Sequence, residues 1–184
     1  GSAPLGSNLV EDIKNWSLIS KIYNVYGITE FGSWIGSSSL EENKNKCDGF
    51  IGKPWGAEFL ITKEDNEQII FQKTIQTLCE ANEVGYIWVR TPALMKEYYK
   101  NVDTTREFVF GSWFFTGDKG FLDHSGNLVL KGRVRNEINK GGIKVMPEDI
   151  DIQLEKNSFV SEACTFGVHD EVAGQEVNTA IVIQ

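Results

Sequence analysis

Hydrophobic and polar residues follow a helical period only near the start of this chain. Apolar residues between positions 8 and 18 recur at helical spacing, which predicts a helix over Asn8–Leu18. Lys21–Tyr26 is typical of a short strand, and we expect this strand to end at Gly27. The glycine- and serine-rich stretch Gly32–Ser39 then predicts a loop with interspersed apolar residues.

The middle of the chain has short runs of β-forming residues separated by turn signals. This pattern extends from Gly49 to Phe121 and favours a small barrel or a curved sheet. The runs predicted as strands are Ala57–Thr62, Ile69–Phe71, Tyr86–Arg90 and Glu107–Phe110.

Gly120–Leu130 predicts a hairpin, because two apolar runs flank a short polar segment. Gly126 can supply the positive φ angle that such a turn needs. The turn accounts for His124 without any chemistry, so we assign that histidine no role.

After the hairpin, the sequence predicts a helix followed by two strands. Pro147 is expected to open a helix that runs to about Lys156, since proline is favoured at the first helical position. Strands are predicted over Ala163–Val168 and Thr179–Ile183. We therefore place a domain boundary near Lys131–Val134, with 1–132 as one unit and 133–184 as a second, incomplete one.

Composition limits the binding partners and the cellular compartment that we expect for this chain. The 184 residues carry a net charge of −8, which argues against a nucleic-acid or anionic-membrane partner. No apolar run approaches the roughly 20 residues that span a bilayer. The three cysteines are far apart and form no pair with metal-ligand spacing, which suggests a reducing, cytoplasmic setting.

The segment Tyr26–Glu30 combines residue types that suit a bound nucleotide. Tyr26 can stack on a purine, and the glycine after it allows the backbone to approach a ligand. Thr29 can donate to a phosphate oxygen, and Glu30 can bind Mg²⁺. A buried tyrosine, a turn glycine and an exposed glutamate would explain the same string structurally.

Two later segments carry further candidates. Asp118 follows a glycine turn, and a carboxylate is the usual acceptor for two ribose hydroxyls, although the pattern alone favours an aspartate that caps the turn. Arg133 lies at the predicted boundary and can reach ribose or phosphate with its planar guanidinium. Gly141 and Gly142 allow a thin substrate to pass close to the backbone, while a basic, glycine-containing linker is the structural alternative.

The order and spacing of these segments resemble the signature motifs of the adenylate-forming superfamily, which includes acyl- and aryl-CoA synthetases, adenylation domains and luciferases. The resemblance covers essentially the whole chain. Its motifs are Gly1–Leu5, Tyr26–Glu30, Ile51–Pro54, Gly117–Asp118, Gly132–Ile150 and Asp170–Gln175.

The resemblance implies roles by position. Thr29 and Glu30 are the catalytic candidates, the first on the α-phosphate and the second on Mg²⁺. Around the nucleotide, Ser2, Ala3 and Pro4 would border the adenine, Tyr26 would stack on it, and Asp118 would hold the ribose with help from Arg133. Arg135 would be the hinge, and Gly141 and Gly142 would line the pantetheine path.

This sequence also departs from the family pattern. Arg135 stands where the family usually has Asp or Lys, and Phe115 stands where arginine is common. The family's phosphate loop and catalytic lysine would fall outside residues 1–184, so we expect a fragment that is very slow alone. Phe31, Ser33 and Trp34 are predicted to form the wall of the acyl pocket.

The implied fold is a mixed α/β and α+β chain. It would hold the end of a large N-terminal domain, with a sheet remnant and a small β-barrel-like subdomain, followed by the start of a small α+β C-terminal domain. With half of the large sheet missing, residues 1–50 are expected to pack poorly or to self-associate with another copy.

The implied parent reaction activates a small carboxylic acid with ATP and Mg²⁺, giving acyl-AMP and then acyl-CoA. Segment 139–144 and the opening Ser2–Leu5 favour an acyl- or aryl-CoA ligase. Two alternatives stay open at this point. One is an adenylation domain that loads a phosphopantetheine carrier protein, and the other is a non-catalytic nucleotide-binding or interaction module.

Overall fold

A computed structural model describes residues 7–17, 21–39, 41, 47–63 and 78–183. The elements are mostly strands, in a mixed α/β arrangement. The helices are α1 (Ser7–Ser17), α2 (Val102–Phe108) and α3 (Pro147–Glu155). The strands are β1 (Tyr23–Ile28), β2 (Ser33–Ser39), β3 (Phe50–Gly52), β4 (Glu58–Thr62), β5 (Gly85–Arg90), β6 (Val109–Phe110), β7 (Trp113–Leu122), β8 (Leu128–Arg133), β9 (Ile138–Lys140), β10 (Ile143–Val145), β11 (Val160–Asp170) and β12 (Gly174–Ile183).

The strands described here pair in antiparallel fashion into three sheets. β1 and β2 form a two-stranded ribbon. Six strands form a larger sheet in the order β3-β8-β7-β5-β4, with β6 beside β7, so that β3 and β4 lie at its edges. The C-terminal strands form a four-stranded sheet in the order β10-β9-β12-β11.

Several elements predicted from local pattern are confirmed. α1 and α3 match the predicted helices within one or two residues; β5, β11 and β12 contain the corresponding predicted runs, and β4 covers its predicted run from Glu58 onward. The predicted hairpin is formed by β7 and β8, with Gly126 at φ 78° in its turn. Asp123 closes that turn, because its carboxylate accepts from the backbone N–H of Ser125 and Asn127. The predicted run Ile69–Phe71 lies outside the described residues.

The predicted loop at Gly32–Ser39 is wrong, because Ser33–Ser39 is a strand paired with β1. Its small residues serve close packing: a Cβ at Gly36 would lie 3.1 Å from the Phe59 ring. β1 also continues past Gly27 to Ile28, with an irregular register at that glycine. Pairing with a neighbouring strand therefore overrides the local loop signal.

The predicted strand Glu107–Phe110 is only half correct. Residues up to Phe108 belong to α2, and only Val109–Phe110 pair with β7. The side chain of Asn101 accepts a hydrogen bond from the Thr104 N–H at 3.2 Å, which caps the start of the helix. The cap extends the helix over the first half of the apolar run.

The main core lies between the two-stranded ribbon and one face of the large sheet. Phe31 and Ile35 are 1% and 2% exposed, and they pack with Ile87 and Phe114. The prediction that residues 1–50 pack poorly is therefore wrong for β1 and β2. β5 is buried on both faces, since Trp88 packs on the opposite side against Trp113, Leu60, Phe110 and Phe115.

A charged cluster joins the large sheet to the C-terminal segment. Glu137 has a side chain 9% exposed and forms ion pairs with Lys119 of β7 and Lys144 of β10. The Lys119 ammonium also lies 4.7 Å from the centre of the Tyr86 ring. Burial alone would raise the pKa of Glu137, but the hydrogen bonds and charges of both lysines together lower it. The predicted boundary at residues 132–133 stays a prediction.

Glu137→Gln is expected to destabilise the protein by roughly 2 kcal/mol at pH 7.5, because it leaves two lysines without their carboxylate. Since the folded-state pKa of Glu137 lies below its ordinary value of 4.5, this stabilisation is present above that value and is lost as pH falls through the lowered pKa. Urea unfolding of both proteins between pH 3 and 7.5 measures the difference. A gap that stays constant down to pH 3 would contradict the assignment. Glu176→Gln, which loses the more exposed pair with Lys140, is the control with a smaller effect.

Candidate functional site

A cavity of about 1060 Å³ opens between the ribbon and the large sheet. It is bordered by the end of β1, the short 3₁₀ turn Thr29–Phe31, the start of β2, α2, β7 and the turn after β8. Its lining residues are Val25, Gly27, Ile28, Thr29, Glu30, Gly32, Ser33, Trp34, Tyr98, Glu107, Phe108, Phe114, Phe115, Thr116, Gly117, Arg133, Val134 and Arg135. Three separate sequence segments, at 25–34, 114–117 and 133–135, therefore meet at one surface.

Asp118 is the centre of a buried hydrogen-bond network beside this cavity. Its side chain accepts from the Tyr26 hydroxyl at 2.6 Å on Oδ2 and from Arg133 Nε at 3.1 Å on Oδ1. Asp118 and Arg133 are opposite each other across β7 and β8, so the strand register itself places the pair. The network joins the ribbon, the large sheet and the start of the predicted hinge.

The surroundings of this network shift the pKa values of Asp118 and Tyr26. Burial raises the pKa of Asp118, while the hydrogen bond from Tyr26 and the charge of Arg133 oppose that rise. Burial, followed by the nearby Asp118 charge, raises the pKa of Tyr26 well above its ordinary value. Tyr26 therefore keeps its proton and acts as a hydrogen-bond donor at physiological pH.

Tyr26 is placed differently from a residue that stacks on a ligand in an open slot. It is 6% exposed, and its ring meets the edge of Phe59 at a centroid distance of 6.4 Å. Its neighbours Val25 and Gly27 line the cavity, whereas neither Tyr26 nor Asp118 is among the lining residues. In this structure Tyr26 holds Asp118, and its predicted stacking on adenine stays a prediction.

Thr29 and Glu30 lie in the 3₁₀ turn directly after β1, and both line the cavity. Glu30 Oε1 accepts a hydrogen bond from the Tyr98 hydroxyl at 2.6 Å. Tyr98 was missed by sequence reasoning, because it lies 68 positions away in a loop whose local pattern predicts no partner. The structure thus adds Tyr98 to the predicted site.

Phe31 is wrong as a predicted wall of an acyl pocket. It points into the core, is 1% exposed, and meets Phe114 edge-on at 5.4 Å. Ser33 and Trp34, predicted with it, do line the cavity. Phe31 ends the 3₁₀ turn between the two strands and packs into the core from there, whereas Ser33 and Trp34 begin β2 at the cavity.

Arg135 lines the cavity from the 3₁₀ turn Val134–Asn136. Gly141 and Gly142 lie in the β9–β10 turn, away from the cavity, with φ angles of 59° and 89°. Two consecutive positive φ angles are what a two-residue hairpin turn requires, so both glycines have a structural reason. Ser2, Ala3 and Pro4 lie outside the described residues.

Among the described residues, the available side chains suit a metal site with one protein carboxylate and not one with three or more protein ligands. Across the described ranges, no group of three or more His, Cys, Asp or Glu side chains could hold a metal ion by itself. Glu30 nevertheless offers a carboxylate to the cavity. Mg²⁺ bound through one carboxylate, with the remaining ligands from substrate phosphates and water, fits this chemistry. None of the described helices is long and apolar enough to cross a bilayer.

The chain matches a known protein family over its first half. A family model described as AMP-binding enzyme matches residues 1–99. Oxalate–CoA ligase of Arabidopsis thaliana is 35% identical over 88% of this chain and 29% of its own length. 2-Succinylbenzoate–CoA ligase of Geobacillus kaustophilus is 32% identical over 95% of this chain and 33% of its own length. The chain therefore spans about a third of these relatives.

Solved structures agree with the sequence comparison. O-succinylbenzoate coenzyme A synthetase from Bacillus subtilis in complex with AMP superimposes with a TM-score of 0.80 at 28% identity, over 100% of this chain and 35% of that one. The same enzyme in complex with ATP and magnesium ion gives a TM-score of 0.79 at 28% identity, over 98% of this chain and 35% of that one. The described fold thus corresponds to a portion of a larger ligase fold.

Proposed function

Because this chain belongs to the AMP-binding enzyme family, we propose that it forms part of an ATP-dependent acid–thiol ligase. In the proposed reaction a substrate carboxylate attacks the α-phosphorus of ATP, and the bond to pyrophosphate breaks. The acyl-AMP then reacts with the thiol of CoA, which forms the thioester and releases AMP. The observation that carries this proposal is the convergence of segments 25–34, 114–117 and 133–135 on one cavity.

The residues of the chain suit the positioning that such a reaction needs. Thr29 lines the cavity at an exposed position, where its hydroxyl can donate to an α-phosphate oxygen. Asp118 uses one acceptor position on each oxygen for Tyr26 and Arg133, and a carboxylate has about four. Ribose hydroxyls would take the remaining positions, with Arg133 bordering the cavity beside them. Phosphoryl-type transfer depends mainly on such positioning and on charge neutralisation.

Glu30 is the residue that would hold Mg²⁺. When bound, the ion would neutralise negative charge on the phosphate oxygens. Glu30 sits next to Thr29 on the same turn, so the metal ligand and the phosphate donor would be fixed together. Arg135 borders the same cavity and is proposed to be the hinge.

The proposed domain organisation follows the same correspondence. Residues 1–132 would complete a large AMP-binding domain, with the six-stranded sheet as its small barrel-like subdomain. Residues 133–184 would begin a small α+β domain. Gly141 and Gly142 would approach the pantetheine arm only after this second unit has changed position, because they now lie away from the cavity. The cytoplasmic location stays a prediction.

CoA is favoured over a carrier protein as the thiol acceptor, because the similar relatives are named as CoA ligases. The acid is proposed to be a small carboxylic acid. Phosphopantetheine on a carrier protein is the alternative acceptor that the experiment below distinguishes.

We expect the full-length protein that contains this chain to release pyrophosphate from ATP only when Mg²⁺ and an accepted acid are both present. A panel that includes oxalate, 2-succinylbenzoate and short fatty acids, with pyrophosphate release as the readout, tests this. CoA and a phosphopantetheinylated carrier protein are then compared as acceptors. AMP binding without acid-dependent pyrophosphate release for any acid would instead identify a nucleotide-binding module.

A further inference from the structure

The loop between β5 and α2 donates two hydrogen bonds to Glu30. The backbone N–H of Met95 donates to the Glu30 carbonyl oxygen at 2.8 Å, which fixes the turn. The Tyr98 hydroxyl donates to Glu30 Oε1 at 2.6 Å, which fixes the carboxylate. Main chain and side chain of one residue are therefore held by the same loop.

This loop is itself anchored on both sides. Thr91 at its start donates its hydroxyl to the Gly56 carbonyl oxygen at 2.9 Å. The Tyr98 N–H donates to Thr105 Oγ1 of α2 at 2.9 Å, and the Tyr98 carbonyl accepts from the Asn101 N–H at 3.1 Å. These hydrogen bonds fix the backbone of Tyr98 relative to α2, and from that position its phenol reaches Glu30.

We propose that Tyr98 is a positioning residue that orients the Glu30 carboxylate for a divalent cation. The inference rests on the proposed function, in which Glu30 binds Mg²⁺. The phenol occupies Oε1, so Oε2 is the oxygen that would bind the cation. Partners of this kind orient a metal ligand, and their loss typically weakens metal binding about 10- to 100-fold.

The chemistry of the phenol suits this task. The Tyr98 hydroxyl has a single proton, and it is donated to Glu30 Oε1 at 2.6 Å. A phenol adds no charge, so it orients the carboxylate and leaves its negative charge in place. A lysine at the same position would neutralise that charge.

Tyr98→Phe removes only the hydroxyl oxygen, and Tyr99→Phe is its matched control. Tyr99 is 85% exposed, and its ring lies beside the Lys100 ammonium at 5.2 Å. The probe is Mn²⁺, titrated into the full-length protein with a non-hydrolysable ATP analogue and followed by the electron paramagnetic resonance of free Mn²⁺. Tyr98→Phe should bind Mn²⁺ about tenfold more weakly, while Tyr99→Phe should match the wild type.

A steady-state readout separates positioning from a general structural role. In Tyr98→Phe the Mg²⁺ concentration for half-maximal pyrophosphate release should rise about tenfold, while the KM for the acid stays near its wild-type value. The thermal unfolding midpoint should also stay within a few degrees. Equal loss at all Mg²⁺ concentrations would overturn the proposal, because saturating metal should restore a merely misoriented ligand.

A double-mutant cycle with Glu30→Gln separates this inference from the proposed function. If Tyr98 acts through Glu30, adding Tyr98→Phe to Glu30→Gln weakens Mn²⁺ binding no further. If the two effects multiply, or Tyr98→Phe alone changes nothing, the inference fails while the function of Glu30 stands. If Glu30→Gln itself leaves Mn²⁺ affinity unchanged, the proposed metal ligand is wrong, and the inference falls with it.

Discussion

Asp118→Ala is expected to weaken AMP binding to the full-length protein by at least about 100-fold. Asp118 is 5% exposed, and its carboxylate holds Tyr26 and Arg133 through both oxygens. Truncating one partner of a buried charged hydrogen-bond pair costs about 2–5 kcal/mol, and 100-fold in affinity is about 2.7 kcal/mol. The variant loses the proposed ribose acceptor and releases the guanidinium that borders the cavity. Isothermal titration with AMP measures the change.

Titration with 2′,3′-dideoxy-AMP tests whether Asp118 contacts the ribose or only supports the site. If it contacts the ribose, the wild type prefers AMP strongly and Asp118→Ala binds both nucleotides equally weakly. Asp123→Ala is the control, because the Asp123 carboxylate accepts hydrogen bonds from Ser125 and Asn127 of the nearby hairpin turn and takes no part in the network of Asp118, Tyr26 and Arg133. It should leave AMP affinity near the wild-type value. Undiminished discrimination in Asp118→Ala would contradict the ribose assignment.

Trp88→Ala is expected to destabilise the protein by about 3–5 kcal/mol, which is a large part of the stability of a typical domain. Trp88 is fully buried on β5, an interior strand of the large sheet, and its Nε1 donates to Thr62 Oγ1 at 2.9 Å. Its ring also packs with Phe115 and Phe110 at centroid distances of 4.9 and 5.5 Å. Alanine would leave a cavity and remove these contacts together. Urea unfolding of the full-length protein, followed by circular dichroism, measures the loss.

Trp55→Ala removes a side chain of the same type from an exposed position and serves as the matched control. Trp55 is 67% exposed, so its replacement should change the free energy of unfolding by less than about 1 kcal/mol. A similar loss in both variants would mean that tryptophan content, and not burial in the sheet, determines the effect. A loss below about 1 kcal/mol for Trp88→Ala would show that the two faces of β5 do not form a close-packed core.

The sequence alone was sufficient wherever a short segment carries its own stop and turn signals. Pro147 opens α3 because its fixed φ angle suits the first helical turn. Gly126 and Asp123 close the β7–β8 turn by contacts within four residues. The motif Tyr26–Glu30 similarly singled out Thr29 and Glu30 by residue type and order alone, and both line the cavity, although their roles stay predictions.

Other features depended on residues far apart in the chain. Ser33–Ser39 became a strand because β1 pairs with it and Phe59 packs against its glycine, neither of which a Gly/Ser-rich string can indicate. Phe31 turned inward because its ring packs in the core against Phe114, which lies far along the chain on β7.

At the candidate site, Tyr26 and Tyr98 also have partners that lie far away in the sequence. The sequence identified Tyr26 and Asp118 separately, but only the fold joins them, across 92 positions, into one hydrogen bond. The partnership of Tyr98 with Glu30, across 68 positions, has no local signal at all. Residue types and their spacing thus determined which chemistry the chain can carry. Burial and strand pairing are non-local, so only the tertiary structure decided which groups meet and which of them face the cavity.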